Sequence, residues 1–186
     1  MPSASLLRWQ NDRRIRLAEV DAHCTAAVAL APPNPLLAEE SLRGYVMLLS
    51  GHFQGFCRNL YTECSQLCAA RVPVGLQATV QAQFSAALKL DSNNPNVDTI
   101  RKDFDRFGFA LNFASEPANG PRVTHFGHLN RWRNAVAHQS ASAPAGVPPL
   151  TLAAVQAWRV SCDGLASWLD GIMYNEMLRV LGVAPW

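Results

Sequence analysis

Four short segments rich in proline, glycine, serine and asparagine interrupt the chain, and the stretches between them constrain the fold most. The interruptions fall at residues 32–35, 91–96, 114–121 and 139–149. Between them, apolar residues recur every three to four positions, which is the spacing of helices, and no stretch shows the alternation of a strand. The sequence therefore predicts an all-α protein.

Six helices are predicted from this periodicity. They span about residues 5–30, 36–70, 75–90, 97–110, 122–138 and 151–181, with Asn96 as the N-cap of the fourth and with Thr151 or the residue before it at the start of the sixth. A chain of 186 residues suits one ordinary domain. We therefore expect residues 1–186 to form a single compact bundle of about six helices. Gly44, Gly51 and Gly55 on the second helix predict the close approach of a neighbouring helix, since each costs about 1 kcal/mol relative to alanine.

The composition narrows the classes of function. Only 16% of residues are charged and 49% are hydrophobic, which argues against disorder and suggests a surface covered by another chain.

The cysteines Cys57, Cys64 and Cys68 share one helical stripe without metal-ligand spacing, so we expect buried thiols and neither a metal nor another cofactor. With no signal peptide and no apolar run of about 20 residues, we expect a cytoplasmic protein that does not contact membranes.

One segment of the C-terminal half carries basic side chains and no acid. No acidic residue lies between Glu116 and Asp163. The same segment holds seven arginines and histidines: Arg122, His125, His128, Arg131, Arg133, His138 and Arg159. In a protein with a net charge of only +2, such a segment indicates a surface that faces an anion.

The fifth predicted helix carries the most informative side chains. At 100° per residue, one face of this helix must belong to the core; it carries Val123, Phe126, Leu129, Trp132 and Val136. Asn134 and His138 are four residues apart and stack on the opposite face, with Arg131 beside them. Arg133 lies about 140° around the helix from His138. The two can therefore meet on one ligand only if the helix unwinds at its end or a second copy completes the site.

Two parts of the sequence resemble a known family. The hexapeptide RNAVAH at residues 133–138 resembles the R-x4-6-H motif of HEPN domains. Residues 42–49 and 52–61 resemble the long early helix of stand-alone bacterial HEPN proteins of the RiboL-PSP type. The resemblance implies a helical bundle that acts as a metal-independent endoribonuclease, often a toxin or defence effector. It also implies a homodimer whose two motifs face each other across a two-fold cleft.

The resemblance implies roles for individual residues. His138 would transfer the proton when a 2′-OH attacks the adjacent phosphate to give 2′,3′-cyclic phosphate ends. Arg133 would stabilise the charge on that phosphate, and Asn134 would hold the imidazole or the ribose. Arg131, His128 and Arg58 are the further candidate RNA contacts. The implied partners are RNA, with transfer RNA among the candidates, a second copy of the chain and an antitoxin protein.

Two other interpretations stay open. One is a non-catalytic HEPN module for RNA binding or protein–protein interaction, which Gln54 favours because relatives often carry an acidic residue there. The other is a helical scaffold without RNA contact, in which Arg133 only extends beside Trp132 and His138 only bonds the last carbonyls of its helix. The intact set of Arg133, Asn134 and His138 favours the nuclease.

Overall fold

A computed structural model describes residues 1–92, 95–140 and 142–186, and these are helices joined by turns and loops without any strand. The predicted all-α fold is confirmed. Asn93 and Asn94 of the predicted interruption at 91–96, and Ala141 of the one at 139–149, lie outside the described residues.

Each of the six predicted helices is present. Helix α1 consists of Ala4–Arg8, a π-helical turn at Trp9–Arg13 and Arg14–Val28. The others are α2 (Pro35–Ala69), α3 (Val74–Ser85), α4 (Val97–Phe104), α5 (Asn119–Ala137) and α6 (Leu152–Leu181). Short helical turns at Lys89–Ser92, Asp105–Phe107 and Phe113–Ser115 complete the described secondary structure.

The helix ends follow local chemistry. Asn96 Oδ1 accepts a hydrogen bond from the Thr99 N–H at 2.8 Å, and Thr151 Oγ1 accepts one from the Ala154 N–H at 3.2 Å. Both predicted helix starts are thereby confirmed. Two predicted C-terminal ends are wrong. Helix α3 stops at Ser85 instead of residue 90, shortly before Ala87 adopts a φ of 49°. Helix α4 gives way to a 3-10 turn that ends at Gly108 with a φ of 83°.

Helices α1, α2, α5 and α6 form the bundle, with α2 in contact with the other three. Arg13 bonds to the carbonyl of His52, and Cys24 Sγ lies 3.3 Å from the carbonyl of Ser41, so α1 runs antiparallel to α2. The rings of Phe53 and Phe126 lie 4.8 Å apart between α2 and α5. Because Arg43 reaches Ser140 just past the end of α5, this helix is also antiparallel to α2.

The predicted burial is confirmed for the thiols of Cys57 and Cys64 but not for Cys68, which is only partly buried. The predicted glycine contacts are mostly wrong. Cys57 and Cys64 are fully buried, and burial raises the pKa of both thiols. A Cβ at Gly44 or Gly51 would meet nothing within 4 Å, because both glycines lie on the exposed face of α2. Only Gly55 has a close neighbour, and this neighbour is the side chain of Arg13 instead of a helix backbone.

Among the residues that the structure describes, no helix combines the length and the apolar character needed to cross a membrane.

Candidate nucleic-acid interface at the end of α5

The apolar face of α5 fixes the orientation of the predicted site. Phe126, Leu129 and Trp132 are buried in the bundle, as the helical spacing predicts, whereas Val123 and Val136 at the ends of this face are only partly buried. The Trp132 indole Nε1 also donates a hydrogen bond to the carbonyl of Pro148 at 3.0 Å. This bond ties α5 to the segment that leads into α6. The opposite face of the helix, which carries Asn134, is consequently directed to solvent.

Helix α5 ends in a closed turn that follows the Schellman pattern. The Gln139 N–H bonds to the Val136 carbonyl at 3.0 Å, and the Ser140 N–H bonds to the Ala135 carbonyl at 2.9 Å. Gln139 adopts the left-handed conformation that this pattern requires, with a φ of 53°. His138 is the C-cap, and its own N–H bonds to the Asn134 carbonyl at 3.0 Å. The helix therefore does not unwind at the motif.

The three motif residues are only partly brought together in one chain. Asn134 and His138 are exposed and Arg133 is half-buried. Arg133 Nη1 lies 3.5 Å from Asn134 Oδ1, which places the amide next to the guanidinium group. Since the helix stays intact to Ala137, Arg133 and His138 keep their angular separation of about 140°. A single chain does not direct both side chains at one point.

Two arginines hold the loop that follows the motif. Arg131 is exposed, and its Nη1 donates to the carbonyl of Ala145 at 3.4 Å. Arg43, on α2, donates from both of its Nη atoms to the carbonyl of Ser140 at 3.4 Å. The described parts of this loop are thus fixed against α5 from one side and α2 from the other.

Sequence reasoning missed Arg43 and the two carboxylates that accompany it. Arg43 Nη2 lies 2.7 Å from Glu39 Oε1, and Arg43 Nε lies 3.7 Å from Glu40 Oε1. The segment between Glu116 and Asp163 contains no acidic residue. The fold nevertheless places Glu39 and Glu40 of α2 close to the middle of that segment, because Arg43 contacts both of them and the carbonyl of Ser140. The spacing of Glu39 and Arg43 signals a helical ion pair. Nothing in the sequence signals that this pair meets Ser140.

His128, a predicted RNA contact, faces α6. Its ring lies 6.5 Å from that of Trp158, and its Nδ1 is buried without a hydrogen-bond partner among the described residues. Burial lowers the pKa of His128, and His125 and Arg131 lower it further. The neighbouring His125 pairs through Nδ1 with Ser161 Oγ at 2.8 Å. Across the described residues, no three His, Cys, Asp or Glu side chains are grouped as metal ligands.

Arg58 is not brought to the other site residues. It forms an ion pair with Asp91, with Nε 2.7 Å from Oδ1. Arg58 lies past the Phe53–Phe126 contact, towards the end of the bundle opposite His138. At 1.5 Å per residue, the two side chains are separated by roughly 25 Å along the bundle axis. Gln54 lies on the same side, and its Nε2 donates to the Leu90 carbonyl at 2.8 Å.

Fold and site together define an all-α bundle that presents a guanidinium group, an amide and an imidazole around the closed end of one helix. In comparisons with models of known families, with curated proteins and with solved structures, this chain had no match.

Proposed function

We propose that this chain is a metal-independent endoribonuclease of the HEPN type that acts as a toxin or defence effector. The observation that carries the proposal is the position of the RNAVAH segment, residues 133–138, at the surface end of α5. Asn134 and His138 are open to solvent there, and Arg133 is half-buried beside them. The segment is therefore accessible to a polymer as large as RNA.

The reaction needs one proton-transfer group and one cation. The 2′-oxygen attacks the adjacent phosphorus, the bond from phosphorus to the 5′-oxygen breaks, and a 2′,3′-cyclic phosphate and a 5′-OH remain. His138 accepts the proton of the 2′-OH, and the imidazolium returns a proton to the leaving 5′-oxygen. Arg133 stabilises the negative charge that grows on the phosphate oxygens in the transition state. Asn134 holds the imidazole or the ribose by hydrogen bonds, and its Oδ1 also lies 3.5 Å from Arg133 Nη1.

The proposed site is composite. With α5 closed at its end, Arg133 of one copy and His138 of a second copy are the pair that can face one phosphate across a two-fold axis. The low charged fraction, 16% of the residues, agrees with a surface that is covered in a dimer. RNA is the proposed substrate, with transfer RNA among the candidates, and an antitoxin protein is the proposed inhibitor.

The position of Gln54 supports the nuclease over the non-catalytic module. The amide of Gln54 bonds to the Leu90 carbonyl near the middle of α2, roughly 18 Å from His138 along the bundle axis at 1.5 Å per residue. The absence of an acid at this position consequently leaves the proposed proton transfer at His138 intact.

The test is cleavage of total RNA and of transfer RNA by the purified chain in excess EDTA. The expected products carry 2′,3′-cyclic phosphate and 5′-OH ends, which enzymatic end-labelling distinguishes from other ends. A folded dimer that cleaves neither substrate would contradict the proposal.

The alternative, a non-catalytic module, would then be tested by RNA binding. It predicts that Arg131→Ala combined with Arg133→Ala weakens RNA affinity, whereas the scaffold interpretation predicts no change.

A further inference from the structure

The π-helical turn in α1 places two arginines on the same side of the helix. In an α-helix, residues five apart such as Arg8 and Arg13 diverge by about 140°. Here the Arg14 N–H bonds to the Trp9 carbonyl five residues earlier, which widens the turn. The wider turn lets Arg8 and Arg13 reach the same neighbour on α2. π-Helical turns are uncommon and occur frequently at functional sites.

The two guanidinium groups meet at Asn59. With its amide oxygen directed at them, Asn59 Oδ1 accepts from Arg8 Nη1 at 3.0 Å and from Arg13 Nη2 at 3.1 Å. Asn59 Nδ2 then donates to the Gly55 carbonyl at 3.2 Å. Two cations so close repel each other, and burial together with Arg8 lowers the pKa of Arg13. Among the ion pairs between described residues, none includes Arg8 or Arg13.

Helix α2 is adapted to this pair of arginines. A Cβ at Gly55 would lie 2.8 Å from Arg13 Nη1, so the side chain of Arg13 occupies the space that glycine leaves. Glycine costs about 1 kcal/mol relative to alanine inside a helix, and the π-helical turn adds to the cost of this arrangement. The carbonyl of His52 also accepts a hydrogen bond from Arg13. The π-helical turn in α1 and the glycine at position 55 in α2 together allow the two cations to lie close to each other.

A pocket of 320 Å³ is lined by Arg8 and by Asn59, the residue that both arginines contact, while Arg13 itself does not line it. Its polar wall includes Arg8, Asn59, Thr62 and Gln66. Glu63 also lines it, but its carboxylate accepts from the N–H groups of Ala4 and Ser5, at 3.0 and 3.1 Å, at the start of α1. The positive end of a helix thus offsets the charge of the Glu63 carboxylate.

We propose that Arg8 and Arg13 form a phosphate-binding site beside Asn59. Two converging guanidinium groups without a carboxylate partner suit the oxygens of one phosphate, because each has five N–H donors and keeps some beyond those that bond to Asn59 and His52. The site lies between α1 and α2 and is separate from the end of α5. It takes a phosphate group, either a small phosphate ester or the phosphodiester backbone of RNA. The proposal does not depend on cleavage at His138.

The first test uses inorganic phosphate as the probe, against chloride at matched ionic strength. Phosphate is expected to raise the melting temperature of the wild type, and Arg8→Gln is expected to weaken phosphate binding at least tenfold. Arg16→Gln is the matched control, because Arg16 lies on the same helix but pairs with Asp12 at 2.8 Å. Equal phosphate affinity in Arg8→Gln and wild type would overturn the proposal. Equal weakening in Arg8→Gln and Arg16→Gln would overturn it too. Melting in chloride verifies that Arg8→Gln folds.

The second test distinguishes the two sources of the phosphate. It measures the affinity for a short single-stranded RNA at several salt concentrations. If RNA supplies the phosphate, Arg8→Gln is expected to reduce the slope of log K against log [salt] by about one unit, and Arg16→Gln is not. If Arg8→Gln loses the binding of inorganic phosphate but keeps the wild-type salt slope for RNA, the site is assigned to a small phosphate ester. An unchanged slope together with unchanged phosphate binding would contradict the site.

Discussion

His138→Ala is expected to lower the rate of RNA cleavage by roughly 10²- to 10⁴-fold, because a positioned proton-transfer group contributes about this factor. The side chain of His138 is exposed at the C-cap of α5, and the hydrogen bonds that close the helix come from backbone atoms. The substitution should therefore leave the fold unchanged. The measurement is the initial rate of cleavage in excess EDTA, compared with wild type at equal protein concentration.

His23→Ala is the matched control for this prediction. His23 is also exposed, but it lies on α1 and outside the RNAVAH segment. The His23→Ala protein is expected to cleave RNA at the wild-type rate. If His138→Ala cleaved as fast as His23→Ala, the chemistry would lie elsewhere and the role assigned to His138 would be wrong. Arg133→Lys adds a test of geometry, since lysine keeps the charge but loses the two-pronged contact with phosphate.

Phe53→Ala is expected to lower the free energy of unfolding by about 3–5 kcal/mol, the usual range for a buried phenylalanine. Phe53 is fully buried on α2. Its ring lies 5.8 Å from that of Trp9 on α1 and 4.8 Å from that of Phe126 on α5. One side chain thus joins three helices of the bundle, so its loss leaves a cavity where they meet. Urea unfolding followed by circular dichroism gives the change.

Leu48→Ala provides the control for Phe53→Ala. Leu48 lies on the same helix but is 46% exposed, and its removal is expected to cost far less. A loss below 1 kcal/mol for Phe53→Ala, or equal losses in the two variants, would contradict the packing of α1 and α5 against α2.

The helices could be predicted because their signals are local. The spacing of Phe126, Leu129 and Trp132 marks a buried face in the sequence, and the structure buries all three. Asn96 and Thr151 likewise signal helix starts through their own side chains. The angular separation of Arg133 and His138 also follows from sequence distance alone, once α5 stays helical to Ala137.

Tertiary neighbours could not be predicted in the same way. The π-helical turn that brings Arg8 and Arg13 together changes the helical register, which a fixed 100° per residue cannot reproduce. Gly55 has the same local appearance as Gly44, yet only Gly55 has a side chain packed on it. The contact of Arg43 with the Ser140 carbonyl joins residues 97 positions apart. Such contacts depend on how the helices pack, and no local pattern specifies them.

The most direct test of the central claim mixes two inactive variants. Arg133→Ala and His138→Ala proteins are unfolded together, refolded and assayed for RNA cleavage in EDTA. If Arg133 of one copy acts with His138 of the other, each mixed dimer regains one intact site, and the mixture should recover about a quarter of the wild-type rate. A mixture as inactive as either variant alone, beside an active refolded wild type, would contradict a site shared between two copies.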